Sequence, residues 1–311
     1  MVEPRQRQKR GHRIDGWIIL DKPGKITSAH AVARIKHILG AAKVGHGGTL
    51  DPLATGVLPI ALGAATKTVP YVMGGAKLYR FTLRFGEARD SDDADGVVTE
   101  TSDIRPENSA IQAALPAFCG TILQVPPAFS AVKVNGERAY DLARGGQAPV
   151  LAARPAHVDR FDLIARPDAD HAVFEVVSGK GVYMRSLARD LARTLGTVGH
   201  VASLRRLAVG PFRESDAVTL DKLNEIRHEA VTNPDLVRPV ETALADIPAL
   251  ALTAREVADL RRGMALSLVD FLGRIPPQAN PDSGLVKAMA GGCCIALGRL
   301  QDGMLRTERL L

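Results

Sequence analysis

The chain has little that would cross-link it, hold a metal ion or carry it into a membrane. Its three cysteines fit neither a paired disulfide framework nor metal-ligand spacing, and they are Cys119, Cys293 and Cys294. The eight histidines are scattered, with no His-Glu-x-x-His motif. No apolar run reaches the roughly 18 residues that a spanning helix needs. We therefore expect no metal, no membrane segment and a reducing, cytoplasmic setting.

Length and charge describe a globular protein with one basic end. The 311 residues allow one large domain or two, and 46% are hydrophobic while 24% are charged. Residues 1–13 are basic but lack the apolar stretch of a secretory signal, so we interpret them as a disordered tail. The tail holds most of the net charge of +6. It would suit weak, salt-sensitive binding of nucleic acid or simply be a solvated end.

A second basic cluster lies in residues 183–213, where six arginines face one aspartate. Arg185, Arg189 and Arg193 are spaced four apart, which places them on one face of a predicted helix, with leucines on the opposite side. Arginine without lysine favours recognition of phosphate or carboxylate groups. The alternative is an ordinary amphipathic helix with a solvated polar face.

Residues 45–58 form a glycine-rich loop that carries a single carboxylate, and they read Gly-His-Gly-Gly-Thr-Leu-Asp-Pro-Leu-Ala-Thr-Gly-Val-Leu. Proline after Asp51 disfavours a helical conformation at the aspartate. The apolar run that starts at Val57 predicts a buried strand. A lone acid held beside a strand can act as a nucleophile, although Asp, Gly and Pro together also mark ordinary turns. A phosphate-binding loop is disfavoured, because no Gly-x-x-x-x-Gly-Lys-Ser/Thr motif occurs.

The remaining pattern predicts an α+β protein. Strands are expected at 16–20, 78–85, 173–177 and 204–209, a helix capped by Thr27 or Ser28 ends at Gly40, and an acidic turn covers 90–96. Residues 125–150 read as an excursion from the core, with a hairpin turn at Asn135-Gly136 and basic residues between aromatic ones. Past a boundary near 240–250, a capping box starts at Thr253 and a strand meander turns at Asp302-Gly303.

Seven segments of the chain, in order, match a known family. They are Leu20 to Ser28, Lys43 to Leu58, Gly63 to Lys67, Lys77 to Arg80, Pro126 to Arg144, Gly181 to Ser186 and Leu204 to Leu207. The chain thereby resembles the bacterial tRNA pseudouridine-55 synthases of the TruB type. The Pro-Pro-x-Phe-Ser-Ala-Val-Lys stretch separates this type from other pseudouridine synthases, which share mainly the aspartate loop.

The resemblance implies a fold and an activity. It implies an α+β catalytic domain at 14–245, built around a mixed, mainly antiparallel sheet, followed by a small β-rich RNA-binding domain of the PUA type at 246–311. The reaction would isomerise uridine 55 in the T-loop of tRNA to pseudouridine without a cofactor. The expected partner is the T-arm of tRNA, and the expected state is a monomer. A non-catalytic tRNA-binding or tRNA-folding protein is the alternative.

The resemblance also assigns roles to seven residues. It makes Asp51 the nucleophile or base, leaving open attack at C1′ or proton removal at C2′, and it makes Arg185 the ionic partner of this aspartate. A flipped-out uridine would stack on an aromatic ring, and family matches for the substrate site and its supporting loop are His46, Tyr79, Tyr183, Leu204 and Lys22. From the residues alone, Tyr79 and Leu204 would be assigned to the core.

Overall fold

The computed structural model describes residues 11–130, 132–134, 136–145, 150–226, 233, 235–277, 279 and 284–311. Residues 1–10 of the predicted tail lie outside the described residues. Further along the predicted tail, His12 forms a bridge with Ala41, and its N–H donates to the Gly40 carbonyl at 2.7 Å.

The described residues alternate strands and short helices through the first 225 residues and are β-rich at the C-terminal end. The strands are β1 (Gly16–Lys22), β2 (Val44–His46), β3 (Thr55–Leu62), β4 (Lys77–Phe85), β5 (Glu87–Arg89), β6 (Val98–Thr101), β7 (Gly120–Gln124), β8 (Lys133–Val134), β9 (Glu137–Arg138), β10 (Arg154–Ala165), β11 (His171–Ser178), β12 (Gly199–Val209), β13 (Phe212–Arg213), β14 (Ala249–Ala251), β15 (Leu266–Ser267), β16 (Leu285–Ala290), β17 (Cys293–Gln301) and β18 (Met304–Leu310). The α-helices are α1 (Ser28–Leu39), α2 (Val69–Gly74), α3 (Asn108–Ala114), α4 (Ala139–Arg144), α5 (Met184–Thr194), α6 (Leu220–Glu225) and α7 (Ala254–Arg261). 3₁₀ segments occupy Gly63–Lys67, Leu115–Phe118, Glu214–Asp216, Val240–Leu244 and Leu268–Arg274, and the last of these is kinked at Phe271.

A large mixed sheet forms the centre of the first part, with the strand order β1-β3-β12-β4-β11-β10-β7. Its described pairs are antiparallel apart from β3 with β12, which run parallel where Thr55 lies opposite Arg205. This confirms the predicted α+β fold with a mixed, mainly antiparallel sheet. The parallel pair matters for the site, because it lays the arginine-rich end of β12 beside the residues that follow Asp51.

The core of this sheet is aromatic and aliphatic. Phe81 and Phe174 lie on paired strands with their ring centroids 5.3 Å apart, and Phe161 packs against both. Offset aromatic packing of this kind adds to the burial energy of the rings. Leucines of α5 are buried in the same cluster, so the opposite face of this helix must hold its arginines. The predicted alternation of β4 is thereby confirmed at Phe81, Leu83 and Phe85.

A smaller five-stranded sheet, ordered β14-β16-β17-β18-β15, occupies residues 249–310 and has its own apolar cluster. The predicted capping box is present, with Thr253 and Glu256 bonded reciprocally. The predicted meander is also confirmed, with Asp302 and Gly303 both at positive φ in the turn before β18. Lys67 joins the two parts by donating to the Leu310 carbonyl at 2.8 Å.

The predicted excursion at 125–150 is described in part. β8 and β9 pair on either side of the predicted turn, although Asn135 itself lies outside the described residues. None of the helices in the described part of the chain is long and apolar enough to cross a membrane.

Candidate active site

Asp51 lies in the loop between β2 and β3, and β3 is an inner strand of the large sheet. Its side chain is 34% exposed, so it is open to a ligand and also close to protein charges. The loop turns tightly after it, because the N–H of Ala54 donates to the Asp51 carbonyl at 3.1 Å. A partly exposed carboxylate on a rigid turn is suited to attack on a bound molecule.

Arg185, in the first turn of α5, is the ionic partner of Asp51. Its Nε lies 2.9 Å from Asp51 Oδ2 and 3.6 Å from Asp93 Oδ2, and its side chain is only 4% exposed. The Nε–H donates a hydrogen bond to neither carboxylate, so these two contacts are ion pairs. The two Nη atoms donate instead to the carbonyls of Ser91 and Phe129, at 3.0 and 2.9 Å. Arg185 therefore links the aspartate loop, the acidic turn and the excursion.

The acidic turn at 90–96 is part of this arrangement, which the sequence reasoning did not foresee. Asp93 is buried and accepts from the Ser91 hydroxyl at 2.6 Å. Asp92 pairs with Arg189 at 2.8 Å, and burial raises its pKa against the opposing influence of that arginine. Two arginines of the predicted face of α5, Arg185 and Arg189, are therefore turned towards carboxylates of the chain itself, whereas Arg193 is exposed. The described residues contain no group of three His, Cys, Asp or Glu side chains placed to bind a metal ion.

Three side chains fix the backbone of the aspartate loop. The Ser28 hydroxyl donates to the Leu50 carbonyl at 3.1 Å and accepts from the Leu50 N–H at 2.8 Å. The Lys22 ammonium donates to the Pro52 carbonyl at 3.3 Å, and also to the carbonyls of Pro23 and Ile26.

Arg206 provides the third support from β12. This guanidinium is fully buried and donates to the carbonyls of Gly48 at 3.0 Å and Val57 at 2.8 Å, with a longer contact to Thr49. The approach is close, because a Cβ added to Gly56 would lie 2.3 Å from the Arg206 carbonyl oxygen. Gly56 has φ +97°, a conformation that glycine adopts without strain.

The other sequence-predicted residues lie on β2, on the paired strands β4 and β12, and just before α5. His46 ends β2 with its Nδ1 buried and without a partner, and burial together with Arg206 lowers its pKa. Tyr183 precedes α5, and burial followed by the charge of Asp51 raises its pKa. Tyr79 is half-buried opposite Arg206 on the neighbouring strand, and Leu204 is buried in the main core.

Four residues that support the site were missed by the sequence reasoning as site residues. Arg206 and Ser28 belong to segments that matched the family, but nothing in their spacing indicated that they grip the loop. Asp93 was assigned to a turn. Gln124, whose buried side-chain amide bonds both the N–H and the carbonyl of Tyr183, was not considered. The sequence carried no signal for these contacts, because the rule that a buried polar side chain must find partners applies only once its burial is known.

We expect activity to fall as pH rises through about 8. Burial lowers the pKa of Lys22 from 10.5 to about 8, and the charge of Asp51 only partly opposes this. Above that pH the folded protein holds a neutral amine, which has two protons for three carbonyls and no charge beside Asp51. In the unfolded chain Lys22 stays protonated up to about pH 10.5. Between pH 8 and 10.5 the unfolded state therefore binds one more proton than the folded state, and the contribution of Lys22 to the free energy of unfolding rises with pH. Single-turnover rates of the expected pseudouridine formation, measured across this pH range, check the prediction.

Lys77 supplies a matched control for this pH dependence. Burial lowers its pKa to about 8 as well, but its ammonium donates to the carbonyls of Met73 and Gly75. The Lys77→Arg variant should keep the alkaline decline. A decline that disappears in this variant, or a flat profile in the unaltered protein, would contradict the role given to Lys22.

Two family models match consecutive parts of the chain. One, described as TruB family pseudouridylate synthase (N terminal domain), matches residues 36–184, and the other, described as tRNA pseudouridylate synthase B C-terminal domain, matches residues 185–245. The tRNA pseudouridine synthase B of Gluconacetobacter diazotrophicus is 64% identical over 305 residues, which cover 98% of this chain and 100% of that protein. The chain belongs to the TruB family of tRNA pseudouridine synthases. It is therefore an enzyme, and the family recognised from its motifs is confirmed.

Further relatives and solved structures agree with membership of the TruB family. The tRNA pseudouridine synthase B of Rhodospirillum rubrum is 50% identical, with 98% of this chain and 99% of that protein covered. A chain in the crystal structure of a Cbf5-Nop10-Gar1 complex superposes with a TM-score of 0.72 and 27% identity, covering 96% of this chain and 85% of that chain. A chain in the archaeal box H/ACA sRNP Nop10-Cbf5 complex has the same TM-score at 26% identity.

Proposed function

We propose that this TruB-family enzyme isomerises uridine 55 in the T-loop of tRNA to pseudouridine, with Asp51 as the catalytic carboxylate. The observation that carries the proposal is the Asp51–Arg185 ion pair, which joins one partly exposed acid to one buried guanidinium. An ionised Asp51 at neutral pH is what either route requires, attack at C1′ or removal of the C2′ proton. Burial opposes ionisation of an acid, and a neighbouring arginine favours it.

The substrate base has to leave its RNA stack before the reaction. Extrusion of a base costs a few kcal/mol, and stacking on an aromatic ring returns about 1–3 kcal/mol. We assign this stacking role to Tyr79, and we assign the lining of the uridine pocket to Tyr183 and Leu204. His46 would enter the space that the base leaves in the T-loop. Its lowered pKa favours a neutral ring, suited to contact with bases.

The rest of the chain would position the tRNA. The excursion at 125–150 would close over the T-arm, while the β-rich domain at 246–311, of the PUA type, would contact the acceptor stem. Recognition would depend on the shape of a folded RNA loop more than on a long base sequence. Asp51, Arg185 and the pocket would supply the chemistry without a metal or cofactor, and the enzyme would act as a monomer.

Position mapping tests this proposal directly. Unmodified tRNA transcript incubated with the pure protein in metal-chelating buffer should carry pseudouridine at position 55, read out by carbodiimide labelling and primer extension. A transcript with cytidine at position 55 is the matched control, and it should remain unlabelled throughout. Modification at another position, or dependence on an added nucleotide or metal, would contradict the proposal.

A further inference from the structure

Gln124, the last residue of β7, holds the start of α5 with its side-chain amide. The side chain is buried, its Oε1 accepts the N–H of Tyr183 at 2.8 Å, and its Nε2 donates to the Tyr183 carbonyl at 3.1 Å. The same carbonyl accepts from the N–H of Leu187 at 3.0 Å, which is the first hydrogen bond of the helix. Tyr183 is the N-cap residue, and its own side chain makes no capping bond. Gln124 therefore supports the helix end from outside.

The supported residue stands next to the reacting groups. Burial, and after it the charge of Asp51, raise the pKa of the Tyr183 phenol. Two positions further on, Arg185 extends from the first turn of α5 to Asp51. A shift of the Tyr183 backbone would therefore move the pocket tyrosine and the guanidinium together.

The first two turns of α5 also hold the beginning of the excursion. The Val125 carbonyl accepts from the Ser186 hydroxyl at 2.8 Å and from Arg189 Nη2 at 3.0 Å. The Phe129 carbonyl accepts from Arg185 Nη2 at 2.9 Å. Gln124 lies where these attachments begin, immediately before Val125. As the last residue of β7, Gln124 is part of the sheet, and the excursion leaves the core directly after it.

We propose that Gln124 is a positioning residue for pseudouridine formation, acting through the Tyr183 backbone to set the Asp51–Arg185 pair. The inference rests on the proposed roles of Asp51 and Arg185. The position requires a donor and an acceptor on one short planar group, which an amide supplies. Methionine has a similar size but lacks both groups, and an ionised glutamate lacks the donor.

The Gln124→Glu variant distinguishes a positioning role from a purely structural one, because only the positioning role predicts a rate deficit that changes with pH. Near pH 8 we expect its single-turnover rate to fall about 10- to 100-fold, as for a small displacement of catalytic groups. Burial beside a carbonyl raises the pKa of the introduced carboxyl, and its protonated form regains a donor. The deficit relative to the unaltered protein should therefore shrink as pH falls towards about 6. Affinity for tRNA should change by less than about threefold.

Two further variants serve as references. Gln124→Met should show a deficit that does not change with pH, and it should remain folded because the swap conserves volume. Ser186→Ala removes one of two donors to the Val125 carbonyl and leaves Tyr183 supported, so its rate should stay within about threefold at every pH.

The outcomes separate this inference from the proposed function. A normal rate for Gln124→Glu near pH 8, or a deficit that stays constant with pH, would overturn the role of Gln124. Pseudouridine formation by Asp51→Asn would overturn the proposed function on which it rests. An inactive Asp51→Asn beside an unaffected Gln124→Glu would reject the positioning role alone.

Discussion

Asp51→Asn is expected to abolish pseudouridine formation while leaving tRNA binding within about threefold of the unaltered protein. Removal of a side chain that attacks or deprotonates the substrate typically costs on the order of 10⁴–10⁶ in rate. The amide keeps the size and turn of the side chain but supplies neither charge nor base. The measurement is single-turnover formation of pseudouridine, paired with filter binding of the same tRNA.

Asp162→Asn is the matched control for this loss. Asp162 is also partly exposed and pairs with an arginine, Arg160, at 3.1 Å. Its replacement should leave the rate unchanged, because it belongs to β10 and has no contact with the aspartate loop among those described. If Asp51→Asn retained measurable turnover, the chain would instead fit a tRNA-binding or tRNA-folding protein in which this acid shapes a turn.

Arg185→Met is expected to reduce both stability and rate. Removing one partner of a buried ion pair costs about 3–5 kcal/mol, and the lower end applies here because Asp51 remains partly hydrated. The variant also leaves Asp93 without its guanidinium and the Ser91 and Phe129 carbonyls without donors. We expect a rate loss on the order of 10²–10³, the size seen when a preorganised charged donor is removed. Urea unfolding and single-turnover assays at saturating tRNA give the two values.

The Arg189→Met variant separates the loss of stability from the loss of rate. Arg189 lies one turn further along α5 and pairs with Asp92, so its loss should lower the free energy of unfolding by roughly 1–3 kcal/mol. It has no described contact with Asp51, and its rate at saturating tRNA should stay within about tenfold. Equal rate losses in both variants would mean that Arg185 acts only by keeping the protein folded.

The sequence predicted those parts of the fold that local chemistry determines. Alternation of apolar residues located β4, and the hydroxyl of Thr27 caps α1 by accepting from the His30 N–H at 3.1 Å. Turn residues located the Asp302-Gly303 hairpin. Strand ends were less accurate, and β1 continues past the predicted Leu20 to Lys22 because Asp21 and Lys22 still pair with β3.

Contacts between segments distant in sequence could not be predicted from local sequence patterns. The position of Arg185 on a polar helix face was readable, but whether that face met solvent, RNA or protein depended on where the acidic turn packs. The resemblance supplied the pairing with Asp51, and it did not include Asp93. Burial of Lys22 and Arg206 was equally unreadable, since long basic side chains are normally solvated.

The side chains that bind the aspartate loop determine which of its positions tolerate substitution. Lys22, Ser28 and Arg206 bind its main-chain atoms, so the path of the backbone does not depend on which side chain Thr49 contributes. Thr49 is exposed, and substitutions there can accumulate with little effect on the placement of Asp51. Neutral variation should therefore collect in this loop at its outward-facing position, while the three distant residues that grip it change little.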